Sequence, residues 1–402
     1  MGRSKCLWSL FMNRNVVLLA LSQALMMTVI SLVLSSSALV GISLSVSAGL
    51  ATVPLAAQYL ATMLSLHVLS SLMARFGRRP VFIGGALVGA AGLALAVIGI
   101  LLGSFVVFAL AGLGVGVLGA AGQFYRFAAV DAVPPEQKGQ AISLTLTGGV
   151  LAAFLGPFIA RNTRDWLGTP FLGSFLVLVG VALLAALLAF FLRLPSPLPA
   201  AALRQPRPLR EIARQGRFRL ALAGGVVGYA IMNLLMTATP LAMMCARLDF
   251  AATATVIQWH LVAMFAPSFL TGSLIRRLGV MQVMLLGGAL TLAAIGVALS
   301  GDELFHFGIA LALVGIGWNF MYVGATTLLT ETYREEEKAL VQAGNDGLVF
   351  LGVTVATLSA GPLVDGLGWE WVNAAAVLPV LLVMAGVLIA LRRTRPVLAS
   401  SA

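Results

Sequence analysis

Met232, Met236, His260 and Met264 are the side chains whose types and spacing most clearly allow chemistry in this sequence. Residues four apart on a helix share a face, so each pair presents two donor atoms together. Turned toward one another, the pairs offer three thioethers and one imidazole where almost no charge competes. Soft, neutral donors suit Cu(I) and discriminate against Zn²⁺, Mg²⁺ and Ca²⁺. Cys245, with Met243 and Met244 beside it, is placed to capture such an ion on entry. Met63 and His67, again four apart, are placed to release it. The same residues have a plainer reading. Methionine fills gaps between apolar helices, and a histidine can be bonded internally. With 15 methionines in 402 residues, chance supplies about 0.6 Met-x-x-x-Met pairs and about 0.1 His-x-x-x-Met pairs. Spacing alone therefore decides little, and the elements that carry the residues decide more.

Those elements are membrane helices. The chain is 60% hydrophobic and 10% charged, which no soluble domain of this length matches. Its 43 glycines fit close packing of helices in lipid. Twelve apolar runs, near 15–37, 47–73, 81–102, 104–130, 139–160, 169–192, 219–244, 253–275, 280–300, 305–330, 339–363 and 371–391, are each long enough to cross a hydrocarbon core of ~30 Å. The Met232 and Met236 pair lies on the seventh run and the His260 and Met264 pair on the eighth. Consecutive spans are antiparallel, and both pairs fall near mid-membrane.

The formal net charge of +11 does not mark a nucleic-acid binder, because the basic residues gather in loops on one side. If both termini are cytoplasmic, 21 of the 25 Lys and Arg residues lie on the inner side. Arg161, Arg164 and Arg247 lie outside, and Arg126 falls within the fourth span. Cys6 and Cys245 are too far apart in sequence to form a disulfide framework or a cysteine metal motif. No cleavable signal peptide is evident.

The longest inner loop divides the chain into an N-terminal six-helix bundle (1–192), a cytoplasmic linker (193–218) and a C-terminal six-helix bundle (219–402). Prolines 195, 197, 199, 206 and 208 preclude a continuous helix in the first part of the linker. The linker reads first as a tether that also enforces the topology, and second as carrying a short basic helix at 209–218 on the membrane surface. The halves read as repeats. Gly77 and Gly279 punctuate equivalent loops, and Gly156-Pro157 and Gly361-Pro362 close equivalent spans, at offsets of 202 and 205 residues.

The run from Ser70 to Arg79, with Arg75, Gly77, Arg78 and Arg79, resembles the signature loop of the major facilitator superfamily. Two positions depart from it: Ser70 replaces the usual first glycine, and Ala74 the usual acid. Gly148-Gly149 and Gly156-Pro157 resemble the fifth-span signature of its antiporters. The resemblance covers the whole chain and implies two six-helix bundles around a central cavity, with alternating access. Within the superfamily, the paired motifs on spans seven and eight resemble the CcoA-like bacterial copper importers. That implies copper import across the bacterial inner membrane for cytochrome oxidase assembly, with Met232, Met236, His260 and Met264 as metal ligands. It also implies cytoplasmic or membrane copper chaperones as partners.

Ionisable groups at membrane depth are costly and mark function. Asp346 on span eleven and Arg126 on span four are candidate coupling groups, and Arg75 and Arg78 candidate gating charges. They support a competing reading, a proton-coupled transporter of an organic solute or drug. A non-transporting membrane copper chaperone is a third. No Walker A loop and no nucleophile–base or zinc-hydrolase constellation is present, so an enzyme is not expected. The expectation is a monomer with no resident cofactor, copper being cargo.

Overall fold

The computed structural model describes residues 13–45, 47–134, 138–194, 207–334 and 337–394, and among them it is helical with no strand. The N-terminal half holds α1 (Arg14–Leu44), α2 (Val53–Phe76), α3 (Arg78–Leu101), α4 (Phe105–Gln123), α5 (Tyr125–Asp131), α6 (Lys138–Thr163) and α7 (Leu172–Phe190). A single turn, α8 (Leu209–Ile212), precedes the C-terminal half: α9 (Gly216–Cys245), α10 (Phe250–Phe265), α11 (Ser268–Leu278), α12 (Val280–Ala298), α13 (Leu304–Thr330), α14 (Lys338–Leu367) and α15 (Trp369–Thr394).

Among the described residues, ten helices or continuous helical segments are long and apolar enough to cross a membrane. The pair α10 and α11, bent by 42°, makes an eleventh. The bend follows Pro267, which caps α11 and cannot donate to the helix before it. The remaining expected span, near 139–160, is α6, 26 residues long.

Within each half, glycines let neighbouring helices approach at backbone distance. A Cβ on Gly92 of α3 would lie 2.8 Å from Cα of Gly114 on α4. In the second half, a Cβ on Gly287 of α12 would lie 2.7 Å from the Gly317 carbonyl of α13. Corresponding helices of the two halves thus pair by the same means.

Chain direction alternates from span to span, so contacts can be assigned to the side holding the two chain ends or to the far side. The halves meet on the far side. A Cβ on Gly361 would sit 2.6 Å from the Gly49 carbonyl, and the Gly361 amide donates to Thr52 at 3.3 Å. The Gly49 amide donates to Asp365 at 3.1 Å. Arg161 of α6 donates to Thr255 and Gln258 of α10 at 3.3 and 3.1 Å. The Phe171 and Phe250 rings meet edge to face at 4.9 Å. Toward mid-membrane, Tyr59 of α2 packs on Val349, Phe350 and Val353 of α14. On the side of the chain ends, no hydrogen bond or ion pair links the halves among the described residues. Arg78 pairs with Asp131 at 2.6 Å and Arg217 with Glu331 at 3.0 Å, each within its own half.

The linker differs from expectation. Of residues 209–218, only Leu209–Ile212 forms a separate turn, and α9 already begins at Gly216. Ile212 is fully buried against Phe218, Leu329 and Val341, so this stretch docks on the second half instead of lying on a lipid surface. The prolines between 195 and 206, with Arg3, Lys5, Cys6, Arg204 and Arg395, lie outside the described residues.

Candidate functional site

Between the halves lies a cavity of about 490 Å³, walled by α1, α2 and α6 on one side and α9 and α10 on the other. The N-terminal wall combines the small face of α6, Gly149, Ala152 and Ala153, with Met27 and Ser31 of α1 and Tyr59 of α2. The C-terminal wall is thioether and aromatic: Tyr229, Met232, Met236, Met264 and Phe265. Met232, Met236 and Met264 thus converge as their four-residue spacing predicts, and all three are buried.

His260 does not join them. Its ring is fully buried, and its Nδ1 lies 2.6 Å from the Leu311 carbonyl on α13, away from the cavity lining. A buried imidazole needs a partner, and α13 supplies one because it runs very close at that level. A Cβ on Gly315 would lie 2.8 Å from the His260 carbonyl. Four residues turn a helix by about 400°, leaving His260 and Met264 roughly 40° apart around α10. That offset turns one side chain to the cavity and the other to α13. Among the described residues, no three His, Cys, Asp or Glu side chains gather as a metal site.

The outlying candidates do not converge either. Cys245 is an exposed free thiol at the far end of α9. Met63 packs with the Tyr59–Val349 cluster, and His67, one turn on, is exposed. Arg75 is exposed with its guanidinium over the adjacent Phe76 ring, 5.1 Å from the centroid. Arg78 is held within its half by Asp131.

Arg126 and Asp346 come from opposite halves. Arg126 lies near enough to Asp346, Tyr229 and Tyr322 for its charge to act on all three, but not in contact range of the carboxylate. Its guanidinium lies over Phe127 at 4.9 Å, and its Nε has no hydrogen-bond partner. Asp346 accepts from the Asn345 side chain at 3.1 Å.

Sequence reasoning missed an aromatic cluster behind the C-terminal wall. Tyr229 stacks on Tyr322 with centroids 5.2 Å apart, and Trp318 stacks on Tyr322 at 5.3 Å. Phe265 meets Trp318 edge to face at 6.3 Å. The signal was Trp318 and Tyr322 four apart on span ten, the spacing already read for methionine. It also missed Ser31, Asn233, Arg161 and Asp365 as functional positions. The last two carry the far-side seal.

Outside the membrane, Glu337 caps the start of α14 with its carboxylate almost fully buried. It accepts two hydrogen bonds from the Arg207 guanidinium and one from the Arg334 amide at 2.9 Å. These bonds, the Arg207 side chain first, hold its pKa down at about 2. Arg207 lies within the linker, so the pair ties the linker to the second half. Arg193, at the other end, exchanges hydrogen bonds of 2.7 and 2.9 Å with the Asn15 side chain of α1.

The sequence matches the description Major Facilitator Superfamily over residues 16–266 and again over 236–402. It is 41% identical to the riboflavin transporter RfnT of Brucella anthropi over 364 residues, 90% of this chain and 92% of that protein. It is 28% identical to the uncharacterized MFS-type transporter YdeG of Bacillus subtilis over 318 residues, 74% of each chain. A second Bacillus subtilis protein, the uncharacterized MFS-type transporter YddS, is 29% identical over 309 residues, 72% of this chain and 71% of that protein. With its two glycine-paired bundles, its central cavity and these matches over most of its length, the chain belongs to the major facilitator superfamily.

Proposed function

We propose that this protein imports an organic solute with a flat heteroaromatic ring, riboflavin foremost, across the bacterial inner membrane by alternating access. The observation that carries the reading is the C-terminal cavity wall, where Tyr229 leads a stack of aromatic rings beside three thioethers. Rings stack on rings in offset or tilted geometry, and thioether sulfur packs favourably against aromatic edges. The uncharged, largely apolar lining of the cavity suits a small organic molecule. The identity to a riboflavin transporter over 90% of the chain supports the same class of cargo.

The gathering of basic residues in loops on one side supports cytoplasmic termini. In that orientation the far-side seal is periplasmic and the structure is the cytoplasm-facing state. Arg126 and Asp346, ionisable groups from opposite halves, are the proposed coupling pair. Protonation of Asp346 would remove the attraction between them and so bias the two-state equilibrium that a coupled cycle needs.

The copper reading fares less well. It keeps Met232, Met236 and Met264 at the cavity, while His260, bonded through Nδ1 to the α13 backbone and unpartnered at Nε2, lies off the lining. The relatives named above give the copper-importer resemblance no support, and the expected chaperone partners and oxidase role rest on that resemblance alone. Expression in a riboflavin-auxotrophic bacterium lacking its own uptake system tests both readings. The expected result is growth at low external riboflavin and saturable uptake of labelled riboflavin, with cellular copper unchanged. Raised copper without riboflavin uptake, from protein present in the membrane, overturns the proposal.

A further inference from the structure

The cavity wall contains two polar side chains whose hydrogen-bonding capacity is left open in complementary senses. Ser31 lines the cavity from α1, is only 2% exposed, and its hydroxyl has no partner. Thr28, Ser35 and Ser36 of the same helix each return their hydroxyls to an α1 carbonyl, at 2.7, 2.9 and 2.7 Å, whereas Ser22 shares the open hydroxyl of Ser31 but does not line the cavity. A buried hydroxyl left unbonded loses its water without compensation.

Asn233 faces the same cavity from α9 and is 1% exposed. Its amide nitrogen donates to Thr237 and to Thr357. Those bonds use both of its donors, which leaves Oδ1 as the atom offered to a cargo. The cavity thus presents a hydroxyl able to donate from the N-terminal half and a carbonyl that accepts from the C-terminal half. Among the described residues lining it, none carries a charge.

Resting on the reading of a flat aromatic cargo, we propose that Ser31 and Asn233 form a specificity subsite for a neutral amide or imide edge of that ring. Asn233 Oδ1 accepts from the ring N–H, and the Ser31 hydroxyl donates to the neighbouring ring carbonyl. The uracil-like edge of an isoalloxazine has this donor–acceptor order. A phosphorylated cargo is rejected, because a buried anion finds no cationic partner in the lining. The subsite takes one contact from each half, so it forms fully only when the halves are closed around the ring.

The test uses the purified full-length protein and quenching of flavin fluorescence. The probes are riboflavin, 3-methylriboflavin, which lacks the ring N–H, and riboflavin 5′-phosphate. The wild type is expected to bind riboflavin at least about 10-fold more tightly than either analogue, and Ser31→Ala to weaken riboflavin by about 3- to 10-fold, the range of one lost hydrogen bond. Removing an unpartnered hydroxyl leaves no new unsatisfied group, so Ser31→Ala is expected to unfold at the wild-type temperature or above it. Asn233→Leu is expected to narrow the gap between riboflavin and 3-methylriboflavin, a readout that a loss of stability alone does not move. Wild-type affinity in Ser31→Ala, or equal wild-type affinity for riboflavin and either analogue, overturns the subsite while leaving riboflavin as cargo. If the wild type binds none of the three flavins, the cargo assignment falls and the subsite falls with it.

Discussion

The two walls of the cavity descend from one repeated architecture yet are chemically unlike. The N-terminal half pairs α3 with α4 through Gly92 and Gly114, as the C-terminal half pairs α12 with α13 through Gly287 and Gly317. At the cavity the resemblance ends. One side offers Gly149, Ala152 and Ala153 on α6 with Met27, Ser31 and Tyr59 beside them; the other offers three thioethers and an aromatic stack. Close backbone packing constrains the helix pairs in both halves and is kept in both. The inward faces carry no such constraint. In the first half α6 supplies room, and the second half supplies most of the thioether and aromatic surface.

The strongest way to break this division is to fill the empty side. Gly149 lies so close to Phe265 that an added Cβ already meets the ring at 3.4 Å. Gly149→Trp is expected to abolish uptake, by more than about 50-fold, with normal protein level in the membrane, because overpacking here blocks the cavity itself. Removing the surface on the other side comes next. Tyr229→Ala is expected to weaken riboflavin binding by about 10-fold and Tyr229→Phe by less than about 2-fold, since the ring and not the hydroxyl makes the stack. Met232→Leu nearly conserves volume and keeps an apolar wall, so riboflavin uptake is expected to change by no more than about 3-fold. A metal site would lose a ligand to the same change, so this substitution separates the two cargoes in one measurement.

Smaller effects lie outside the walls. Arg161→Ala removes two hydrogen bonds across the far-side seal, and labelling of a cysteine placed on α10 near Gln258 is expected to rise a few-fold. The Glu337 carboxylate provides a pH control. Its pKa is lowered from 4.5 to about 2, so its contribution to stability is complete above about pH 4.5 and is lost as pH falls toward 2. Glu337→Gln is therefore expected to lower the melting temperature at neutral pH. The difference from wild type should stay constant between pH 5 and 8 and shrink only in stronger acid. Any change in uptake between pH 5 and 8 belongs to other groups.

The fold was legible because membrane helices obey a coarse rule: enough apolar residues in a row, interrupted by loops with basic charge on one side. The Gly-Pro and loop-glycine offsets then revealed the repeat. Three of the four metal candidates also reached the cavity, because four-residue spacing does place Met232 and Met236 on one face. The fourth failed for a reason that spacing cannot contain. The orientation of His260 is set by a carbonyl 51 residues later, on a helix that approaches it closely at Gly315. Ser31 was hidden differently. It is one of several serines on span one, and only its open hydroxyl together with its place on the cavity distinguishes it. Asn233 stood inside a motif read for its methionines.

The connection between the halves is pinned at both ends, by Arg193 to Asn15 and by Arg207 to Glu337. From residue 193 to residue 207 the chain has 14 steps, which can reach at most about 46–50 Å when fully drawn out. Among the described residues, each pin binds the connection to the half it adjoins and neither bridges the two. What holds the halves in register is the surface they share, so two separately made chains, divided within the linker, have what they need to find each other and assemble.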